Sequence, residues 1–284
     1  MIKEYTATVL VTDKYLLGES PYFDRRYDRL SWVDIVAGKF YTKTGDDISC
    51  FDFGEPIGAA IPLKDEDGYL VAGKTALWKY ADGRKEELLA LGAVYETYQR
   101  SNDAKADPMG RVFFGSCTGD DDHGPSGNLY RYDGGRITCV QENTKIANGM
   151  AWNKDRTKFF FSDSLEHGVL VYDYDEATGN IADRRRLFSV EDGVPDGMTI
   201  DSDDRLWLAV WDGSRIECHD CETGELLAVV RVPALHTTSC CFFGENEDTL
   251  FITSSGNELS GEFDGCLFEC KVDAKGADEP FAVV

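Results

Sequence analysis

The sequence predicts an all-β fold, a six-bladed β-propeller with four-stranded blades, as a single domain over residues 1–284. Three observations carry that prediction. A turn followed by a short apolar strand occurs six times, the copies stand 39 to 47 residues apart, and a second strand follows each copy. A four-stranded propeller blade has a period of roughly 40–50 residues.

The six copies are Tyr27-Asp-Arg-Leu-Ser-Trp-Val, Asp67-Gly-Tyr-Leu-Val-Ala, Met109-Gly-Arg-Val-Phe-Phe-Gly, Arg156-Thr-Lys-Phe-Phe-Phe-Ser, Asp203-Asp-Arg-Leu-Trp-Leu-Ala and Glu247-Asp-Thr-Leu-Phe-Ile-Thr. With Leu30, Tyr69, Val112, Phe159, Leu206 and Leu250 as equivalent points, the steps are 39, 43, 47, 47 and 44 residues. The strands that follow are expected at 38–42, 76–80, 127–132, 168–174, 214–218 and 265–270. Runs such as Leu129-Tyr-Arg-Tyr-Asp133 alternate in the way a half-buried strand requires. Asp82-Gly83, Asp133-Gly134-Gly135, Thr178-Gly179 and Thr223-Gly224 supply turns between strands. No amphipathic helix and no second composition regime interrupts the pattern. The stretch from Tyr5 to Val11 is expected to complete the last blade and close the ring, which removes free sheet edges.

Composition narrows the function. A net charge of −23 and a pI near 4.5 argue against nucleic acid as partner, because phosphate binding needs a basic face. No run approaches the roughly 20 apolar residues that span a bilayer, and the start of the chain lacks the features of a signal peptide. The nine cysteines are scattered, several within apolar runs, as buried reduced thiols would be. A cytoplasmic protein, free of membrane, is the expectation.

The chemistry is expected at one mouth of the channel. Each copy is preceded by a further strand, which in a propeller lies nearest the axis. Glu19 precedes Asp24 by five residues, Asn102 precedes Asp107 by five, Asn148 precedes Asn153 by five and Asp196 precedes Asp201 by five. The small residues Ala60 and Ser239 fall at this position in the other two blades. Two carboxylates and two amides therefore converge, an oxygen-donor set that suits a hard divalent cation. Asn148-Gly149 and Pro195-Asp196-Gly197 are also ordinary turn signals, so solvated turns at the mouth stand beside the metal site as an alternative.

The motifs Leu17-Gly-Glu-Ser-Pro21, Arg100-Ser-Asn-Asp103, Ala147-Asn-Gly-Met-Ala-Trp152, Phe161-Ser-Asp-Ser164, Pro195-Asp-Gly-Met-Thr-Ile-Asp201 and Thr237-Thr-Ser-Cys-Cys-Phe-Phe-Gly244 resemble, in order, those of the family of senescence marker protein (regucalcin), gluconolactonase and luciferin-regenerating enzyme. The resemblance runs from about Gly18 to the C-terminus. It implies a six-bladed propeller with one divalent metal in the channel, Ca²⁺ first, with Zn²⁺, Mn²⁺, Mg²⁺ and Fe²⁺ as alternatives. The metal ligands it implies are Glu19, Asn148 and Asp196. The substrate contacts it implies are Arg100, Asn102 and, in a loop that departs from the animal pattern, Asp120. Asp103 follows the Asn as in relatives and is expected to support the site.

The implied activity is metal-dependent hydrolysis of sugar (aldono-)lactones to the corresponding acids. In it Asp196, both ligand and catalytic residue, takes the proton of the attacking water while the ion polarises the carbonyl. The rivals are a non-catalytic calcium-binding regulator and an esterase or phosphotriesterase acting on another substrate. Other constellations are weaker. Cys218-His-Asp-Cys221 lacks the second pair of a zinc site and reads as a hairpin turn. Asp120-Asp121-Asp122-His123 reads as an exposed acidic loop before a second metal site. No Gly-x-Ser-x-Gly elbow points to a serine hydrolase, and His236 is expected to pack or to bond the backbone.

Overall fold

The computed structural model describes residues 2–120 and 122–284; Met1 and Asp121 lie outside the described residues. Six sheets form a six-bladed β-propeller. Blade 1 comprises Gly18–Asp24, Arg29–Asp34, Lys39–Thr44 and Asp47–Asp52, and blade 2 comprises Ile57–Pro62, Tyr69–Gly73, Ala76–Ala81 and Arg84–Ala90. Blade 3 runs through Gln99–Ala106, Val112–Thr118, Gly127–Asp133 and Arg136–Thr144, and blade 4 through Ala147–Trp152, Lys158–Asp163, Gly168–Asp175 and Asn180–Ser189. Blade 5 holds Val194–Ile200, Arg205–Trp211, Arg215–Asp220 and Leu226–Arg231, and blade 6 holds His236–Phe243, Thr249–Ser255 and Leu267–Lys271. Each inner strand packs against the next, and the sixth against the first.

All six repeat-point residues, from Leu30 to Leu250, lie on second strands and are buried. The core they build sits between neighbouring blades. Leu70 and Leu77 of blade 2 pack with Val112 and Phe114 of blade 3, and Phe160 of blade 4 packs with Leu206 and Leu208 of blade 5. Each such side chain contributes roughly 1.5–3 kcal/mol on burial, and no blade can bury its own face alone.

The N-terminal expectation holds in part. Thr8–Val11 pairs antiparallel with Leu267–Lys271 and completes blade 6. Tyr5, however, belongs to Lys3–Thr6, which pairs parallel with Leu226–Arg231 as a fifth strand of blade 5. The chain crosses between the blades at Ala7, which is buried in the core that blades 5 and 6 share.

Each inner strand starts at one mouth of the channel and ends at the other. At the far mouth Asp24, Asp107, Asn153 and Asp201 cap the turn into the second strand; Asp107 Oδ1, for example, accepts the N–H groups of Met109 and Arg111 at 2.9 and 3.0 Å. At the near mouth every inner strand carries a bulge, between Glu19 and Tyr22, Ile57 and Ala59, Ser101 and Ala104, Asn148 and Met150, Pro195 and Met198, and Thr237 and Ser239. A bulge puts two residues opposite one and re-aims a side chain. In blade 2 the residue opposite Ala72, which holds the place of Ser162 in blade 4, is Ala59. The sequence alignment on Ala60 is therefore one residue off there, because the bulge at Gly58 shifts the count. Ser239 holds its expected place, opposite Thr253.

Candidate active site

The bulges bring Glu19, Asn102, Asn148 and Asp196 to one level of the channel, and all four are buried. The chain holds them there by bonds from blade to blade. Asn102 Nδ2 donates to Ala147 O at 3.1 Å, Ser162 Oγ donates to Asp196 O at 2.8 Å and Thr238 Oγ1 donates to Gly18 O at 2.6 Å. The Asp196 backbone, the Asn102 side chain and the residues just before Glu19 and Asn148 are thus each tied to a neighbouring blade.

The alternative of solvated turns fails on the same geometry. Gly149 and Gly197 lie within strands, are buried, and do not take positive φ. What they provide is close approach. A Cβ on Gly149 would stand 2.5 Å from Asp196 O, and one on Gly197 would stand 2.2 Å from Ser239 Oγ. The glycines after Asn148 and Asp196 let adjacent inner strands close on one another.

The electrostatics follow from burial. Burial, then the charges of Asp196 and Asp103, push the Glu19 carboxyl well above the ordinary range, against the pull of the Ser20 N–H and of Arg100. Burial and Asp103 do the same to Asp196, against hydrogen bonds from Asn148 and the Gly197 N–H. Asp103 is pushed up to about 6, chiefly by burial, with Lys105 and the Ala104 N–H opposing. Like charges in a water-poor channel disfavour ionisation until a cation joins them.

Asn148 tests whether a cation fits. Its Nδ2 donates to Ser164 Oγ at 3.0 Å. Its Oδ1 is buried and, among the described residues, has no hydrogen-bond partner. Buried polar atoms without partners are rare, and an oxygen left bare beside two carboxylates is what a hard divalent ion would take. The donor set fits. Among the described residues no three His, Cys, Asp or Glu side chains come together as a metal cluster; this set has two carboxylates and completes itself with an amide.

Arg100 stands at the rim. Its Nη1 donates to Asn102 Oδ1 at 2.8 Å and to Ser101 O at 2.9 Å. That leaves its Nε and Nη2 free of protein partners among the described residues. Asp120 is placed differently from Arg100 and Asn102. Its Oδ1 lies 2.9 Å from His123 Nδ1 and accepts the N–H groups of His123 and Asp122 at 3.1 and 3.2 Å. His123 in turn stacks on Tyr98, with centroids 3.9 Å apart. The loop packs beside Arg100 at Gly119, but the Asp120 carboxylate is spent within its own loop.

Other sequence candidates resolve simply. His219 is held between Glu217 Oε2 and Gly224 O, at 2.9 and 3.0 Å, so 218–221 is strand and turn. His236 packs, the first of its two expected roles, on Trp211 at 3.9 Å, and its Nε2 meets the Asp212 carboxylate at 2.9 Å. All nine cysteines are unpaired.

Two site neighbours escaped the sequence. Lys105 shares the channel face with Asp103, and its Nζ donates to Met198 O and Glu279 Oε1 at 3.1 and 3.0 Å. Alternation along the strand could have placed Lys105. Glu279 lies in the C-terminal tail, outside the repeat, and no pattern announced it.

A six-bladed propeller with a buried oxygen-donor set at one mouth of its channel defines the class. Residues 17–256 match the SMP-30/Gluconolactonase/LRE-like region, and the chain belongs to that family. It is 32% identical over 268 residues to regucalcin from Gallus gallus, covering 89% of this chain and 87% of that protein. It is 32% identical over 292 residues to a pentonolactonase from Haloferax volcanii, covering 96% and 97%. Among solved structures it is similar to a luciferin-regenerating enzyme, with a TM-score of 0.91, 28% identity, and coverage of 98% of this chain and 100% of that one. The family thus includes lactonases. Among the described residues no helix is long and apolar enough to cross a membrane.

Proposed function

We propose that this protein is a metal-dependent lactonase that opens sugar lactones to the corresponding acids. The observation that carries the reading is the buried Asn148 Oδ1, without a partner, beside the carboxylates of Glu19 and Asp196. The likeness to a pentonolactonase along nearly the whole chain supports it.

Glu19, Asn148 and Asp196 would hold the ion, with Ca²⁺ the first candidate on the oxygen-donor set. When bound, a divalent ion supplies Lewis-acid polarisation of the lactone carbonyl and offsets the two carboxylate charges. With its carboxylate held ionised in that company, Asp196 accepts a proton from the attacking water. The Asn148 side-chain amide and the Gly197 N–H favour the ionised form of Asp196 that this transfer needs. Arg100 directs its free N–H groups at sugar hydroxyls, and Asn102, whose Nδ2 is fixed by Ala147 O and whose Oδ1 accepts from Arg100 and, at 3.6 Å, from Cys117 Sγ, holds Arg100 in place for that contact. Asp120 reaches substrate only if its loop gives up the His123 contact. The cysteines, all unpaired, suit a reducing compartment such as the cytoplasm.

The test is hydrolysis of a panel of aldonolactones by metal-stripped protein, with divalent ions restored singly. Turnover that returns with an ion supports the reading. Tight ion binding without turnover on any lactone would move the assignment to a non-catalytic calcium-binding role, and turnover on an ester or phosphotriester alone would move it to another substrate.

A further inference from the structure

The far mouth of the channel is closed by the C-terminal tail. Gly276 bridges to Asp201 of blade 5, Ala282 bridges to Leu63 of blade 2, and the Val283 N–H donates to Gly110 O beside blade 3. Tyr22 of blade 1 donates through its hydroxyl to Glu279 O at 2.8 Å, and the Arg26 guanidinium lies 4.0 Å over the Phe281 ring. This segment lies outside residues 17–256 that define the family match.

From this tail one side chain enters the channel. Glu279 Oε1 accepts from Thr199 Oγ1 at 2.8 Å and from Lys105 Nζ at 3.0 Å, with both charged side chains 17% exposed. Glu279 Oε2 is buried and has no partner among the described residues. Above the pair lies a cavity lined by Ser20, Asp103, Lys105, Met198, Ser239 and Cys240. Ser20 and Asp103 are the chain neighbours of Glu19 and Asn102. The cavity therefore links the Lys105 side chain to the underside of the candidate ion site.

An ammonium in that cavity is a competitor. Three buried carboxylates stand above it, and attraction between opposite charges is strong where water is scarce. Lys105 has four flexible carbons and itself lines that cavity. What holds it down is Glu279, with Met198 O and the full charge of a carboxylate. We propose that Glu279 is a positioning residue: it anchors the Lys105 ammonium on the channel floor and so leaves the charge of Glu19, Asp196 and Asp103 to a divalent ion. The inference rests on the metal reading above, and adds that the tail sets the affinity of the site.

The experiment is calorimetric titration of metal-stripped protein with Ca²⁺ alone, for the native chain, Glu279→Gln and the double variant Lys105→Met with Glu279→Gln. Gln keeps the shape and the Thr199 contact, so the tail stays seated, and circular dichroism checks the fold of each variant. The expected result is binding weakened about tenfold or more in Glu279→Gln, because the freed ammonium competes. In the double variant, which removes the competitor, affinity should return to within about threefold of native. Native affinity in Glu279→Gln would overturn the proposal. A double variant as weak as Glu279→Gln would overturn it too, since the loss would then come from the tail and not from the ammonium. Native protein that binds neither Ca²⁺ nor Mg²⁺, Mn²⁺ or Zn²⁺ would overturn the metal reading itself, and this inference with it.

Discussion

Gly149 of blade 4 presses on the backbone of Asp196 in blade 5: a Cβ at residue 149 would stand 2.5 Å from Asp196 O and 2.8 Å from Ser162 Oγ, the group that donates to that same oxygen. Neither neighbour is a flexible chain end, so Gly149→Ala must push the two inner strands apart. Overpacking of this kind costs about 1–3 kcal/mol, a shift of roughly 2–4 °C in melting temperature per kcal/mol for a chain of this order of size. Ion affinity should fall more than stability does, because Asn148 and Asp196 lose their registration. Melting curves and calorimetric titration of the folded variant check both; unchanged ion affinity would mean that the two blades tolerate the displacement.

Asp196 carries two proposed duties, and Asp196→Asn separates them. The amide keeps the shape and one oxygen donor but cannot take a proton. Turnover should fall about 10²–10⁴-fold at ion concentrations that saturate the variant. Native turnover under those conditions would remove Asp196 as base and leave it a ligand only.

Metal-free stability should depend on pH in an unusual direction. Asp103 is pushed up to about 6 in the folded chain, against about 3.9 for an unperturbed aspartate. The folded state therefore keeps a proton that the unfolded state has lost. The stabilisation is complete below about pH 4 and disappears as pH rises through about 6. Glu19 and Asp196 are raised too and act in the same direction. Melting temperature of the metal-free protein should fall between about pH 5 and 7, and Asp103→Asn should flatten that slope. Ion binding, which needs the carboxylates deprotonated, should strengthen over the same interval. A metal-free protein whose melting temperature rises across it would contradict the account.

Arg100 lies outside the ligand set, bonded to Asn102 Oδ1 and Ser101 O. Arg100→Ala should raise KM for a lactone by about tenfold to a hundredfold, the cost of losing one or two charged hydrogen bonds. Ion affinity should change little in comparison. Steady-state kinetics at saturating ion separate the two; a loss of ion binding larger than the change in KM would place Arg100 with the metal ligands.

Much of the ring was legible because each blade repeats one strong signal. Leu30, Tyr69, Val112, Phe159, Leu206 and Leu250 are buried at equivalent places, and burial writes apolar residues into the sequence at a fixed period. Outer strands were not located individually, since strands such as Arg84–Ala90 are mostly exposed and carry no such pattern. The convergence of Glu19, Asn102, Asn148 and Asp196 was readable from a common spacing to the capping residue, because the same turn recurs at the far mouth. Where a bulge shifted, at Gly58, the spacing misled by one residue. The Asn148-Gly149 pair resembled a turn only because sequence does not distinguish a glycine needed for positive φ from one needed for close approach. The closure of Asp120 onto His123 depends on loop conformation, and the entry of Glu279 into the channel depends on where a tail without repeats docks. Neither leaves a periodic trace.

Lactone opening is proposed to depend on a divalent ion held by Glu19, Asn148 and Asp196. A pH-stat assay of metal-stripped protein on aldonolactones, with each ion restored in turn and Glu19→Gln and Asp196→Ala as companions, tests it most directly. Acid release should return with a divalent ion and be lost in both variants. Turnover that persists without any ion, or that survives both substitutions, would contradict it.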